Sequence, residues 1–458
     1  MFADAAEAAP QQNQQITRRI KVSANTANLK EYRKLAEFAK DLGATHLGAD
    51  QIEPSMWQWN ANRRDPYPNW SLQRPTLFKY IVPKELEKYL PADIENALPK
   101  LKKNQAIAGR TTQGKSFSTT IGYMSGHNEH TYPVAGLSRI VKIASQLQTA
   151  QRNPRTNINI ALRSVNDFDA IRFLRKYFGT TIPQGLLGRY QVLTDFAADF
   201  VGKEHADRLV QAWNNIEQAY TLLEHLNTGG HIFTLGTVHQ RWLTRPLVAF
   251  PGELKPEEKD YYRAFQFQAQ SEAEADDLLD LQGYRWLAGY GALFAYRNTF
   301  WGAFAPQVRE AAAIFKDLVP HAKDGEIAHY LEMQSKKAEM YLCIALNALH
   351  VISYQEILDR TDYTQKPVDT TLEAFEQGDI RLYKLERIMR DEINNTVKII
   401  RLIESTPEPL LQHAPGDDME SVMILGTREK LLKDLYRKIE VMENHRNDPA
   451  RLYKNYNR

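Results

Sequence analysis

The run GYMSGHNEHTYP, residues 122–133, places two imidazoles, a carboxamide and a carboxylate at four consecutive positions, His127 to His130. Side chains of this kind at this density form either a solvated loop tip or a reactive site. A metal centre would need more than the run offers. Its HxxH spacing encloses Glu129, but it is not the HExxH pattern that sets two imidazoles on one helical face. Gly126 and Pro133 argue for a loop, and no third ligand is identifiable nearby, so we expect neither metal nor cofactor. Chemistry without a metal fits better. Glu129 can act as a carboxylate acid/base, with His127, Asn128 and His130 hydrogen-bonding substrate hydroxyls.

A second stretch, ADQIEPSMWQWNANRRDPYPNW (49–70), brings Asp50 and Glu53 together with Trp57, Trp59, Tyr67 and Trp70. Sugar rings stack their C–H faces on aromatic planes, while their hydroxyls bind carboxylates, amides and guanidinium groups. Asn60, Asn62, Arg63 and Arg64 stand between the rings and complete that set. The alternative is a long loop pinned by buried tryptophans. Paired with Glu129, either Asp50 or Glu53 would supply the second carboxylate of a glycosidase, ~5–5.5 Å away for retention or ~6.5–9.5 Å for inversion.

Two further segments follow strand-like runs. LGTVHQRWLTRPLVAFP (235–251) offers His239 and Arg241 for substrate binding; alternatively, Arg241 and Arg245 pair with acids of the helical part. In RSVNDFDA (163–170), Asn166 or Asp167 suits the cap of a helix beginning near Phe168.

Elements must position these residues, and the patterning predicts them. RRIKVSA, NLKEYRKLAEFAKDLG and THLGADQIE read as strand, amphipathic helix and strand, a βαβ unit with parallel strands and a right-handed crossover. FSTTIGYM, NINIALRS and HIFTLGTV (231–238) are further strand candidates, and PADIENALPKLKKNQAIA (91–108) reads as a helix. Five strands by residue 240 fall short of the eight of a closed barrel. The barrel is therefore incomplete, or the α/β part is a smaller arrangement; the expected fold is an incomplete TIM-barrel-like α/β part over residues 18–200, followed by an all-α domain over 201–458. That second half carries apolar residues at three- and four-residue spacing in segments such as EIAHYLEMQSKKAEMYLCIALNALHVISYQEIL and TREKLLKDLYRKIEVMENH. RDEINNT (390–396) reads there as a polar or interhelical face.

Composition narrows the function. Fifty-eight basic against fifty-six acidic residues leave a charge of +2, which marks neither a nucleic-acid binder nor a membrane-surface protein. No apolar run reaches the ~20 residues of a bilayer span. Cys343 lies in the apolar helical stretch YLCIALNAL and reads as packing. Residues 1–17, small and polar, resemble the linker that follows a cleavage site, so a periplasmic or secreted location is expected over a cytoplasmic one.

The βαβ start, the loop ADQIEPSMWQWN…DPYPNW and the helical stretch MRDEINNTVKIIRLIES…LYRKIEVMENHRNDPARLY together resemble bacterial glycoside hydrolases of the hexosaminidase and α-glucuronidase-like barrel type. The likeness covers residues 18–107 and 190–450. It implies a catalytic barrel joined to a helical carboxyl-terminal domain, carboxylate acid/base chemistry and a carbohydrate substrate. The paired acids that the family carries on its middle strands have no counterpart here. Between Ala108 and Ser116 the chain passes from the early to the late barrel as though an internal block were missing, which implies a shortened relative. A non-catalytic carbohydrate-binding remnant or a helical interaction protein is the alternative.

Overall fold

The computed structural model describes residues 20–25, 29–44, 46–50, 102–103, 118–122, 134, 136–152, 157–164, 167–227, 242–262, 297–360, 380–411, 413 and 426–454. Strands β1 (Ile20–Asn25), β2 (His46–Asp50), β3 (Lys102–Lys103), β4 (Ser118–Ile121) and β5 (Asn157–Ser164) form one parallel sheet in the order β3-β2-β1-β5-β4. β3 corrects the expectation of a helix across 91–108. Lys102 and Lys103 pair with His46 and Leu47, so an edge pairing overrides local helical pattern there.

Helices α1 (Leu29–Asp41), α2 (Ile140–Gln151) and α3 (Phe168–Tyr177) follow β1, β4 and β5 in the chain. Read from β4, the order is β4-β5-β1-β2-β3, so β4→β5 and β1→β2 step the same way across the sheet. Right-handed crossovers taken in one direction put their helices on one face. α3 lies between the other two. Its Arg175 meets Asp41 of α1 at 3.0 Å and lies over the Phe38 ring, and Gln151 of α2 donates to Tyr177 O at 3.4 Å.

The two faces of β5 differ. Ile158, Ile160 and Leu162 are buried in the core with Val22, Phe38, Ile143 and Phe173, whereas Asn157 and Asn159 are half-buried. In backbone register with Asn159 stand Thr120 of β4 and Lys21 of β1, and His46 of β2 pairs Lys21 in turn. One face thus packs on helices, while polar residue types hold the alternate register positions. At the end of β4, Gly122 takes φ +136°, and a Cβ there would lie 2.0 Å from Ala161 O. Only glycine fits at the point where the histidine run begins.

Beyond β5 the longer regular elements among the described residues are helices, and Leu411 forms an antiparallel bridge with Val134. The helices are α4 (Gly185–Val201), α5 (Ala206–Asn227), α6 (Pro256–Tyr262), α7 (Ala305–Leu318, preceded by a π-helical turn), α8 (Gly325–Arg360), α9 (Ile380–Glu404), α10 (Arg428–Asn444) and α11 (Asp448–Lys454). The strand expected at 231–238 lies outside the described residues. The hydrophobic core runs from Val22 of the sheet to Met442 of α10 without a break. Aromatic rings stitch it: Phe196 of α4 lies 5.8 Å from Trp213 of α5, and Phe168 of α3 stacks on Tyr330 of α8 at 5.2 Å. Cys343 is buried packing, and burial pushes its thiol up to about 12.

The RDEINNT segment takes the interhelical of its two expected roles at Glu392 and Asn395. Leu385, Met389, Glu392, Thr396, Ile399 and Ile403 are all buried at four- and three-residue spacing, which puts Glu392 on the core stripe of α9. Its carboxylate accepts from Asn347 Nδ2 at 2.7 Å, shares a hydrogen with His350 Nδ1 at 2.6 Å, and pairs with Lys438 of α10. Lys438 also donates to Leu243 O at 3.0 Å. Burial alone would push the Glu392 carboxyl up, but Lys438 and His350 outweigh it and hold it at about 2. Nearby, Arg245 does not meet an acid as expected; it donates to the Tyr262 hydroxyl at 2.8 Å.

Candidate functional site

Parallel α/β sheets present their ligand sites at the carboxyl ends of the strands. In this sheet Asn25, Asp50 and Ser164 share one register level at that end, and β4, parallel to β5, ends at Ile121, just before the histidine run in the chain. Asp50 is thus the last residue of β2. The other predicted site residues, Glu53, Trp57, Trp59, Arg63, Trp70, His127, Asn128, Glu129, His130, His239 and Arg241, lie outside the described residues. β2 and β4 are three strand spacings apart in the sheet order, about 14 Å on a flat sheet. A carboxylate pair within catalytic reach therefore has to draw at least one member from a connection.

Beside this edge, where α3 begins, a cavity of about 520 Å³ opens against α8. Lys34 of α1, Asp167, Arg172, His329, Lys337 and Glu408 line it. Its floor is a closed hydrogen-bond system. Asp169, buried, accepts from Ser138 Oγ, from the Tyr330 hydroxyl at 3.1 Å and from Ala170 N–H at 2.8 Å. Trp213 Nε1 donates to the Tyr330 oxygen at 3.1 Å. Gln334 ties the β4–α2 connection to α8, accepting from Ser138 N–H at 2.8 Å and donating to Gly136 O at 3.0 Å. Burial first, and the Asp169 carboxylate second, raise the Tyr330 phenol well above its ordinary value, so it stays a neutral donor.

The rim is of another kind. Arg172 pairs with Glu326 at 3.0 Å while stacking on Phe168 at 4.1 Å, and His329 meets Glu408 at 2.6 Å with both side chains about half exposed. Exposed ion pairs are worth little, so ligand hydroxyls can replace their partners at small cost. The rim thus offers guanidinium, imidazole and carboxylate groups over a buried polar floor, while the Phe168 ring is already covered by Arg172 and stacked on Tyr330. Among the described residues, no group of three His, Cys, Asp or Glu side chains is placed to hold a metal ion. Among them, too, no helix is long and apolar enough to cross a membrane.

Asp167 occupies the cap position of α3 without making the expected side-chain cap bond. Asp169 instead bonds the first-turn N–H of Ala170. The sequence offers Asp169 with Asn166 and Asp167 after a strand, but it does not mark Ser138, Tyr330 and Gln334, which meet Asp169 only when the β4–α2 connection, α3 and α8 pack. Tyr330→Phe removes the hydroxyl that joins Trp213 to Asp169, which takes the acceptor from the indole N–H and one donor from the carboxylate. A loss of about 1–3 kcal/mol in urea unfolding is expected; a change near zero would mean that the floor repacks without it.

No protein-family profile, no curated protein and no solved structure matches this chain.

Proposed function

We propose that this chain acts on carbohydrate as a shortened relative of the barrel glycoside hydrolases, its five strands an arc of a (β/α)₈-type barrel. The observation that carries this reading is the single direction in which the strands advance, β4-β5-β1-β2-β3, with their helices on one face. A barrel closes with its last strands beside its first, and its chain runs one way round. A doubly wound sheet reverses at the first strand and puts helices on both faces. β4 and β5 then take the last places of the barrel. Only fourteen residues, 104–117, connect β3 to β4, where a single further βαβ unit takes about 30. The middle of the barrel is what this chain lacks.

In this reading Glu129 is the acid/base, Asp50 or Glu53 the second carboxylate, and the aromatic loop with Trp57, Trp59 and Trp70 the sugar platform. Arg63, His127, Asn128, His130, His239 and Arg241 hold substrate hydroxyls. Export to the periplasm or beyond suits a protein that meets polysaccharide. A second reading, binding without catalysis, is favoured by the ~14 Å between the ends of β2 and β4, beyond both carboxylate windows. Titration with a panel of oligosaccharides, followed by tryptophan fluorescence, is expected to saturate for at least one of them. A flat response from folded protein across the panel counts against both readings. Turnover of aryl glycosides separates them, since only the enzyme releases the aglycone.

A further inference from the structure

His445 closes α10 as its C-cap, and its ring stands half-buried between two carboxylates. Nε2 meets Glu258 of α6 at 2.9 Å, and Nδ1 meets Asp448, the first residue of α11, at 2.6 Å. The Asp448 N–H donates back to His445 O at 3.0 Å, which shapes the corner between the two helices. Glu258 also accepts from Lys255 N–H at 3.1 Å and from Asn444 Nδ2 at 3.0 Å. Arg451 of α11 donates to Asp448 at 3.1 Å, reaches Glu253 and lies over the Phe250 ring at 5.0 Å. The charged groups around the imidazole are thus Glu253, Glu258, Asp448 and Arg451, while Glu443 and Arg446 pair with each other at 3.5 Å on the helix end.

A neutral imidazole has one hydrogen to donate and can satisfy only one of its two carboxylates. An imidazolium donates to both. The carboxyl end of α10 also favours a cation, because the last carbonyls leave negative charge there. We propose that His445 is a proton-operated latch: charged, it fastens the α10–α11 corner to the segment 250–262, and on losing its proton it loosens that corner, leaving α11 on the Arg451–Glu253 pair. Val441 packs with Val248, Leu254 and Tyr262, so α10 keeps its place when the latch opens. The segment held this way follows His239 and Arg241 in the chain and leads from Trp242 and Leu243, whose carbonyls accept from Asn347 and Lys438.

Burial alone lowers the imidazole, but the hydrogen bonds and charges of Glu258 and Asp448 raise it above the ordinary histidine value. A group raised on folding contributes fully below its unfolded value, and that contribution is lost as the pH rises through the folded one. The latch is therefore closed in acid and opens on the alkaline side.

Amide hydrogen exchange of residues 448–454, corrected for intrinsic rates, tests it at about pH 5.5 and about pH 9. Relative to the middle of α10, protection of α11 is expected to fall about 2–5-fold at the higher pH, the size of a partly exposed ion pair. His445→Gln should abolish that dependence. Glu258→Gln keeps the imidazole and should move the midpoint of the His445 ring titration, read by nuclear magnetic resonance, to lower pH. Protection unchanged with pH in the natural protein, an equal dependence in His445→Gln, or an unmoved midpoint in Glu258→Gln would each overturn the latch.

Discussion

Replacing Lys438 by methionine is expected to lower stability by about 3–5 kcal/mol, the cost of leaving a buried charge without its partner. Glu392 and Lys438 are both fully buried, so losing the ammonium leaves the carboxylate away from bulk solvent. Asn347, His350, Asn395 and Thr396 would still donate to the carboxylate, but none carries a fixed positive charge. The pH dependence follows in sign. Glu392 is held at about 2 in the fold against an ordinary 4.5, so its contribution is whole above about 4.5 and lost as the pH falls toward 2. In Lys438→Met the carboxyl rises, and acid unfolding should begin at higher pH. Urea unfolding at neutral pH and an acid titration by circular dichroism measure both effects. Replacing both partners, as Lys438→Met with Glu392→Leu, should recover much of the loss, because an apolar pair of similar volume needs no desolvation. A single-variant loss below ~1 kcal/mol would mean that water or a shifted side chain replaces Lys438.

The second large effect concerns Glu129. Glu129→Gln preserves shape and one acceptor while removing the exchangeable proton, so any glycoside turnover should fall ~10²–10⁴-fold with the melting temperature retained. His127→Ala and His130→Ala should weaken substrate binding more than they unfold the protein, since neither lies in an apolar periodic segment. A loop tip would give another pattern, with all three variants within ~0.5 kcal/mol in stability and unchanged in activity. A structural knot would give a third, in which Glu129→Gln lowers the melting temperature with no specific kinetic defect. Full turnover in Glu129→Gln would end the catalytic role.

Much of the secondary structure is legible in local pattern. RRIKVSA, THLGADQIE, FSTTIGYM and NINIALRS each contain a strand of the sheet, and the long periodic segments of the second half carry α8, α9 and α10. α4 and α7 escaped notice. α7 buries Ala305, Ala311 and Ala312 along with Val308 and Phe315, and alanine marks a stripe only faintly. β3 escaped because two lysines at a sheet edge have no periodicity of their own. Of the candidate site, sequence supplies the residue types, and the described structure adds the place of Asp50 at the carboxyl edge.

Sequence by itself determined what depends on neighbours a few positions away: the βαβ opening, the packing role of Cys343 and the core stripes of the helices. Even the buried ion pair left a mark there. Glu392 falls between Met389 and Thr396, Lys438 between Leu435 and Met442, and Asn347 between Cys343 and Tyr354, each on its helix's buried register. Only tertiary structure decided that these three meet, that β5 enters beside β1 with β4 outside it, and that Asp169 finds Ser138 and Tyr330. The physical reason is range. Periodicity states which face of an element must leave water, but an apolar face accepts many partners. The choice among them is made by the packing of whole helices and by where each buried charge finds its counter-charge.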